Sequence, residues 1–502
     1  MPEPVESYRP YRLEVAGTLR METFHIGSGN GFSLVSDSPI LRDTKGRPYV
    51  PGSSLRGVLR AYLEREASAD EIRILFGETP ARDSDRPSQL GRLTVADAFP
   101  VDGGAAYTEV RDHVALDTRH GAAAKGAKFD QEVSADPLSL GFALTYEGDS
   151  ESDPALALVE DALRALRAGE IACGAKSGCG YGRIRLKETA FRAFDRSKPE
   201  GLVAWLGYRL KPDSVAPARE FPGPRRQAAG TTAYARLSRL ALRLRLQFDG
   251  PVLVRAPLPP LPSGREFDAN VRESDGEKGL ETADHVFVQT GGGDRYYLPG
   301  SSLRGVLRHQ AAKICGTLGA ADVLDKLFGT VKSGAGRRGL VEVEDGRLDG
   351  DPKPVYLDHV ALDRITGFAA DARKFSTCGL ASPVFEMAMR IRFTGDDLAA
   401  VALAGFVLRD MLEGWLWCGG GVTRGFGHLH SAAIVGASVD LTEEFSSRFP
   451  PPPGFLASAQ RETRPGHLCL AVEGPAFADF AWLWSLAQEA WNTSLPPKGN
   501  AA

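Results

Sequence analysis

Pro51-Gly-Ser-Ser-Leu-Arg-Gly-Val-Leu-Arg60 returns without a single change as Pro299 to Arg308 in this chain of 502 residues. Ten consecutive identities make the chain a tandem repeat of a domain-sized unit, and every local motif is read inside that repeat. Each decamer reads as a turn running into a helix. Proline and glycine end the preceding segment, and Ser53 or Ser54 (Ser301 or Ser302 in the second copy) is placed to accept a hydrogen bond from a first-turn amide. Leu55, Val58, Leu59, Tyr62 and Leu63 then recur at helical spacing and mark a core face. Arg56 and Arg60, like Arg304 and Arg308, lie one turn apart near a helix N-terminus whose partial positive charge suits phosphate. The plainer reading is a capped amphipathic helix with solvated arginines. Gly57 and Gly305 weigh against it, because a mid-helix glycine costs about 1 kcal/mol relative to alanine and points to close approach by a backbone or a ligand.

Outward from the decamer, the same segments follow in the same order twice. Leu75-Phe-Gly77 answers Leu327-Phe-Gly329, and the strand expected at Gly91–Ala98 answers Gly339–Asp345. Asp112-His-Val-Ala-Leu-Asp117 is identical to Asp358–Asp363, and Lys128-Phe129 matches Lys374-Phe375. Helices expected at Pro154–Ala168 and Asp397–Leu412 precede Gly180-Tyr-Gly182 and Gly425-Phe-Gly427, with a closing glycine-rich strand predicted over Gly174–Leu186. Each copy thus reads strand, helix, strand, inserted arm, strand, helix, strand, an elaborated β-α-β-β-α-β ferredoxin-like pattern of the α+β class. The expected boundaries are a first domain at 1–195, a linker at 196–236, a second domain at 237–445 and a C-terminal appendage at 446–502. A charged, proline-rich insertion at 257–282 has no counterpart in the first copy.

A formal charge of −4 excludes a protein that coats nucleic acid by bulk electrostatics, so any such site is a local patch. The six cysteines form no C-x-x-C pair and no His/Cys cluster at zinc-ligand spacing, which predicts reduced thiols and no structural zinc. Met1–Pro10 is polar and proline-rich, unlike a signal peptide, and the apolar run Leu398–Leu408 is too short to span a bilayer. The expectation is a cytoplasmic chain with no membrane partner.

Three motifs carry chemistry. Gly27-Ser-Gly-Asn-Gly31 and Gly178-Cys-Gly-Tyr-Gly182 look like phosphate loops, yet neither has dinucleotide spacing or a following Lys-Ser/Thr pair. Arg424-Gly-Phe-Gly-His-Leu429 resembles the first ribonucleoprotein motif of RNA-recognition domains, whose aromatics stack bases, although His428 and Leu429 leave the stacking platform incomplete. Finally, Asp37 lies fourteen residues before Pro51, and Asp284 fifteen before Pro299. A lone loop aspartate is ordinarily a turn former, whereas recurrence at matched places suits an acid with a chemical task.

Taken in order, His25-Ile-Gly-Ser-Gly29, Asp37-Ser-Pro-Ile-Leu-Arg-Asp43, the Pro48-to-Gly57 stretch and Gly178-to-Arg183 resemble the RAMP superfamily of CRISPR proteins. The likeness is in particular to backbone subunits of type III effector complexes, the seventh Cas family, and spans residues 11–190 and 240–435. Two such domains in one chain are similar to the tandem subunit of type III-D-like systems. The resemblance implies two tandem ferredoxin-like (RRM-like) RAMP domains, each with an inserted thumb hairpin after Asp117 or Asp363. It implies a guide RNA held along the palm and a single-stranded target RNA cut at regular intervals by 2′-hydroxyl attack, in a reaction dependent on a divalent cation such as Mg2+ or Mn2+. Asp37 matches the family's catalytic aspartate and Asp284 takes the corresponding place. Whether each acts as base or as metal ligand, through water, stays open. The RNA contacts expected are His25, Ser53, Ser54, Arg56, Arg60, Lys128, Tyr181 and Arg183 in the first copy. Ser301, Ser302, Arg304, Arg308, Lys374, Arg424 and Phe426 are those of the second. Partners would be other RAMP subunits and a large polymerase-like subunit. In the second copy Asp-His-Val replaces Asp-Ser-Pro and Gly250–Ala256 replaces the His25 loop, so that copy is open to holding guide without cutting. The alternatives are a non-catalytic scaffold and a guide-processing endoribonuclease with His25 as general base.

Overall fold

The computed structural model describes residues 9–27, 36–64, 67–78, 89–101, 107–117, 123–212, 237–255, 271–272, 281–282, 285–290, 295–332, 335–351, 353–453, 455, 467–473 and 480–495. Asp284 and most of the 257–282 insertion lie outside them. The chain is a mixed α/β protein whose two copies each build an antiparallel sheet with helices packed against it.

In the first copy β1 (Tyr11–Met21) buries alternate residues, Tyr11, Leu13, Val15, Leu19 and Met21, as a half-buried strand must. It is followed by α1 (Gly52–Leu63), α2 (Ala69–Phe76), β2 (Leu93–Val95), the paired strands β3 (Thr108–Leu116) and β4 (Ala123–Ser134), β5 (Leu138–Gly148), α3 (Pro154–Ala168), β6 (Ile184–Asp195) and α4 (Pro199–Leu210). The sheet order is β2-β5-β1-β6, and β3-β4 stands apart as a two-stranded hairpin. The second copy repeats the plan: β7 (Ser238–Asp249) lies between strands Val384–Phe393 and His428–Thr442, and Val341–Val343 pairs with the former. Helices α5 (Gly300–Leu318), α6 (Ala321–Phe328) and α7 (Leu398–Leu412) answer α1, α2 and α3, and Pro354–Leu362 pairs with Ala369–Ala381 as the second hairpin. Residues beyond 445 join this unit. Strand His467–Glu473 extends the sheet beside His428–Thr442, and helix Ala481–Ser494 sets Trp484 against Gly405 of α7.

The decamer helices differ from the reading of their first turns. No serine side chain caps either one. Instead the Gly52 amide donates to Asp97 Oδ1 at 2.7 Å, and the Gly300 amide to Asp345 Oδ1 at 2.8 Å. The reason is a close backbone approach: a Cβ on Gly52 would sit 2.2 Å from the Val95 carbonyl oxygen, and one on Gly300 2.4 Å from that of Val343. The strand end thereby supplies the cap, and the anionic group that the helix N-terminus favours is already a carboxylate. Nothing in the described structure comes within 4 Å of a Cβ built on Gly57 or Gly305.

The closing glycine-rich segment is a correction too. Residues 174–182 form a loop with a single 3-10 turn at Ser177–Cys179, and the strand starts at Ile184. Gly182, at φ +71°, has its Cβ direction blocked by the Cys173 carbonyl oxygen at 1.9 Å, so the chain passes there only as glycine.

Candidate nucleic-acid interface

Asp37 is exposed, on the loop that lies against the root of the β3-β4 hairpin. Its amide donates to Asp130 Oδ1 at 2.6 Å, and the Asp130 amide donates back to Asp37 Oδ2 at 3.1 Å. Ser38 bridges Gln131 in parallel, and the Ile40 amide donates to Glu132 Oε2 at 3.0 Å, with Arg42 paired to the same carboxylate. The loop is therefore clamped to β4 at three successive acidic or amide positions, which fixes the aspartate backbone. His25, 3% exposed, completes the clamp from below. Its Nδ1 lies 2.6 Å from the Glu132 carbonyl oxygen and its Nε2 3.2 Å from Ser38 Oγ. Nδ1–H donating to the carbonyl leaves Nε2 to accept from the Ser38 hydroxyl. Burial holds the imidazole below its ordinary pKa, against the opposing pull of the Glu132 carbonyl. A neutral, buried, doubly engaged histidine orients the loop; it does not reach out to a substrate.

The hairpins share an arrangement that sequence reading did not single out. His113 faces Phe129 across β3 and β4, ring centroids 5.2 Å apart, while the Lys176 ammonium lies 4.7 Å from the centre of the same ring. In the second copy His359 stacks on Phe375 at 4.8 Å, and the Arg424 guanidinium lies 5.1 Å from that ring's centre. The two cations come from non-equivalent positions of equivalent loops. Burial, then the charges of Lys176, Arg111 and His25, push the His113 pKa down to about 4. The identical Asp-His-Val-Ala-Leu-Asp segments and the recurring Lys-Phe pair were the signal: they repeat the histidine and the phenylalanine together. Lys128 and Lys374, each about 70% exposed, stand beside these rings, 3.1 Å and 4.0 Å from Asp112 and Asp358.

The register of the second copy is informative at His285. His285, the residue after Asp284, pairs in parallel with Thr377, just as Ser38 bridges Gln131. Gln131 and Thr377 are counterparts, both three residues after the recurring lysine. Ser376 consequently stands where the first copy has Asp130.

Other expected contact residues are turned toward the protein. Arg56 donates to the Leu93 and Phe76 carbonyls and lies over the Phe76 ring; Arg304 donates to the Phe328 carbonyl at 2.7 Å and Arg308 to that of Gly329 at 3.0 Å. They tie each decamer helix to the C-terminal end of the next helix, whose last carbonyls need donors. Arg60 pairs with Glu64 on the surface. Ser53 is exposed, and Ser54, Ser301 and Ser302 are partly so. The rings of Tyr181 and Phe426, 2% and 3% exposed, are buried and have no face for a base. Tyr181 belongs to a junction between the copies instead. Arg111, 5% exposed, donates to the Tyr181 hydroxyl at 2.7 Å, to Asp345 Oδ2 at 2.9 Å and to Glu109 at 2.7 Å, and lies 4.6 Å from the Tyr297 ring centre. Arg183 pairs with Glu344 at 2.7 Å. Among the described residues no group of three or more His, Cys, Asp or Glu side chains converges as a metal cage, and no helix is long and apolar enough to cross a membrane. The Asp37–Asp130 pair offers two hard oxygen donors, which fits a cation such as Mg2+ that takes one or two carboxylates and completes its shell with water and phosphate.

The family model of the RAMP superfamily matches residues 21–185 and 279–430, together more than half of the chain. Among curated proteins, the CRISPR system Cms endoribonuclease Csm3 of Mycobacterium tuberculosis is 29% identical over 230 residues, which is 40% of this chain and 96% of that protein. The protein of the same name from Streptococcus thermophilus is 26% identical over 211 residues, 37% of this chain and 93% of its own. That of Methanocaldococcus jannaschii is 26% identical over 201 residues, 35% and 79%. Less than half of this chain accounts for nearly all of the first two relatives.

Proposed function

The chain belongs to the RAMP superfamily over both of its copies, and from that premise we propose that it is a tandem backbone subunit of a type III CRISPR ribonucleoprotein. It holds guide RNA and cuts the paired target RNA from the first copy, next to other RAMP subunits and a large polymerase-like subunit. The relatives named endoribonuclease support RNA cleavage as the reaction class. The order β2-β5-β1-β6, with helices after β1 and β5, supports reading the copy as a ferredoxin-like domain, with the β3-β4 hairpin as its thumb.

The observation that carries the reading is the reciprocal Asp37–Asp130 contact at the hairpin root. It fixes an exposed carboxylate where a backbone splayed by the hairpin would bring a 2′-hydroxyl. Asp37 takes the proton from that hydroxyl; the 2′-oxygen attacks the adjacent phosphorus, the bond from phosphorus to the 5′-oxygen breaks, and that oxygen takes a proton from water, so the strand ends in a 2′,3′-cyclic phosphate and a 5′-hydroxyl. A divalent cation held by Asp37 and Asp130 would supply charge neutralisation at the phosphate. Lys128, Lys374 and Arg424 contact phosphates without reading bases, as suits a protein whose specificity resides in base pairing. His25 positions the Asp37 loop and is not a general base, which disfavours guide processing.

For the second copy, Ser376 in place of Asp130 favours guide holding over cutting. The test is target cleavage by the assembled complex carrying Asp37→Ala or Asp284→Ala. Loss of a cut with Asp37→Ala while guide stays bound is expected. Wild-type cutting at every site by both variants would sink the nuclease assignment and leave the scaffold reading.

A further inference from the structure

Lys176 is one of three non-glycine residues with positive φ among the described residues, at φ +59°. The Cys173 amide donates to the Gly182 carbonyl and the Cys418 amide to that of Gly427, which sets Lys176 level with Gly421 and Cys179 level with Arg424. Lys176 and Gly421 each precede the same short turn, Ser177–Cys179 and Val422–Arg424, and Gly421 has φ +78°. A side chain at that left-handed position is strained where glycine is not. The first copy therefore keeps a lysine where the second keeps the easier residue. Its ammonium lies 4.7 Å from the centre of the Phe129 ring, which His113 flanks at 5.2 Å. The side chain is half-buried, and burial holds its pKa below the ordinary value although Cys179 opposes the shift. In the second copy Arg424, three residues past Gly421, sets its guanidinium 5.1 Å from the Phe375 ring centre. The residue that carries the cation has changed, and the cation over the ring has been kept.

We infer that Lys176 is a positioning residue for Asp37, acting through the Phe129 ring to hold the root of the β3-β4 hairpin; its effect on cutting rests on the reading of Asp37 as the cleaving residue. Phe129 immediately precedes Asp130, whose carboxylate and amide both engage Asp37. On the palm side of Asp130, β4 is held by His25, which meets the Glu132 carbonyl, and by the bridge from Phe24 to Ser134. On the tip side it is held by Lys176. The loop that carries the lysine is itself fixed, since the Ala175 amide donates to the His25 carbonyl oxygen at 3.0 Å. The contacts thus close a ring from His25 through Ala175, Lys176 and Phe129 to Asp130, and from Asp37 and Ser38 back to the His25 imidazole. A cation withdrawn from water binds a ring face more firmly than an exposed one. With that link gone, Asp130 and Asp37 keep their mutual hydrogen bonds but ride on a strand held from one side, and reach requires a carboxylate fixed to within a fraction of an ångström.

The test is single-turnover cutting by the assembled complex at the site that Asp37→Ala abolishes, joined to amide hydrogen exchange of the full chain over residues 129–132. Lys176→Gly installs the residue that the second copy carries, so the turn and the fold are kept. Lys176→Met keeps the stem without the charge, and Lys176→Arg keeps the charge. The Gly and Met variants should cut that site about tenfold more slowly and exchange about tenfold faster at the hairpin root, with guide affinity and its salt dependence unchanged. Lys176→Arg should recover both. Wild-type cutting or wild-type exchange in the Gly and Met variants would overturn the inference, as would an arginine variant no better than the glycine one. A salt slope reduced by about 0.7 or more would overturn it too, since the lysine would then be a phosphate contact. If Asp37→Ala abolishes no cut, the nuclease reading falls, and the exchange rates alone decide whether Lys176 holds the root.

Discussion

Arg111→Met should uncouple the two copies. Arg111 is 5% exposed and meets Asp345, Glu109 and the Tyr181 hydroxyl at 2.7 to 2.9 Å, with the Tyr297 ring below it. Burial works against the cation, but Tyr297, Tyr181, Asp345 and Glu109 outweigh it and raise its pKa well above the ordinary value, so it is charged at every accessible pH. Methionine keeps much of the stem's packing and leaves two carboxylates, with side chains 22% and 13% exposed, facing each other without a cation. Breaking such a pair from one side costs about 3–5 kcal/mol. Asp345→Asn still caps Gly300, and Arg111 retains Glu109, so its cost is smaller, about 1–3 kcal/mol. The double variant should cost less than the sum by about 1 kcal/mol or more, because the stranded Asp345 charge is never created. A chain with two cores does not unfold as one two-state unit once its copies separate. Five of the six tryptophans lie beyond residue 410, in the second copy and its C-terminal extension. Fluorescence therefore follows that unit while circular dichroism follows both, and the two denaturation curves should coincide in the wild-type chain and diverge in Arg111→Met. Coincident curves in the variant, or costs that add to within about 0.5 kcal/mol, would refute the junction's role.

His113 folds with its pKa pushed down to about 4 from an unfolded value near 6.5, so the stability it contributes is complete above pH 6.5 and is lost as pH falls toward 4. The loss amounts to about 3 kcal/mol at most, and His113→Phe should flatten that acid limb; an unchanged limb in a denaturation series argues otherwise. Gly182→Ala must fit a methyl 1.9 Å from the Cys173 carbonyl at positive φ, so it should lower stability by more than about 2 kcal/mol in calorimetry, and a wild-type melt would contradict the close approach. Arg56→Ala and Arg304→Ala should each lose about 1–3 kcal/mol of stability while leaving the salt dependence of RNA binding intact. Lys128→Ala and Lys374→Ala should do the reverse, each reducing the slope of log affinity against log salt by about 0.7–0.9; a reduced slope in the Arg56 variant would return that arginine to the RNA.

The tandem plan was legible because core periodicity and exact repetition are local properties of the chain. Leu55, Leu59 and Leu63 face the core as their spacing requires, and α3 begins and ends at Pro154 and Ala168, where Asp153 caps one end and Gly169 turns the other. The first turns of the decamer helices were not legible. Two serines follow the proline, as in many caps, yet the donor that needs satisfying finds Asp97, 45 residues away, because Gly52 is pressed against the end of β2. Asp130 was hidden for the same reason: its contact with Asp37 spans 93 residues and is made by a hairpin whose register no local pattern specifies.

Perfect repetition of the decamer is therefore a poor pointer to ligand chemistry. Gly52 and Gly300 are identical because no other residue fits below a carbonyl oxygen, and Arg56 and Arg304 because each closes the end of the next helix. Such constraints act equally on both copies and keep them equal. Where the copies diverge, at Asp130 against Ser376, Arg111 against Leu357 and Tyr181 against Phe426, the shared fold tolerates either residue, so packing alone does not explain the choice. The first substitution leaves the second copy without the carboxylate that takes the Asp37 amide in the first; the other two separate a hairpin and loop that reach Asp345 through Arg111 and the Tyr181 hydroxyl from a pair that carries neither group. Duplication supplied two equivalent frames, and their different duties are written in the residues that the frame leaves free.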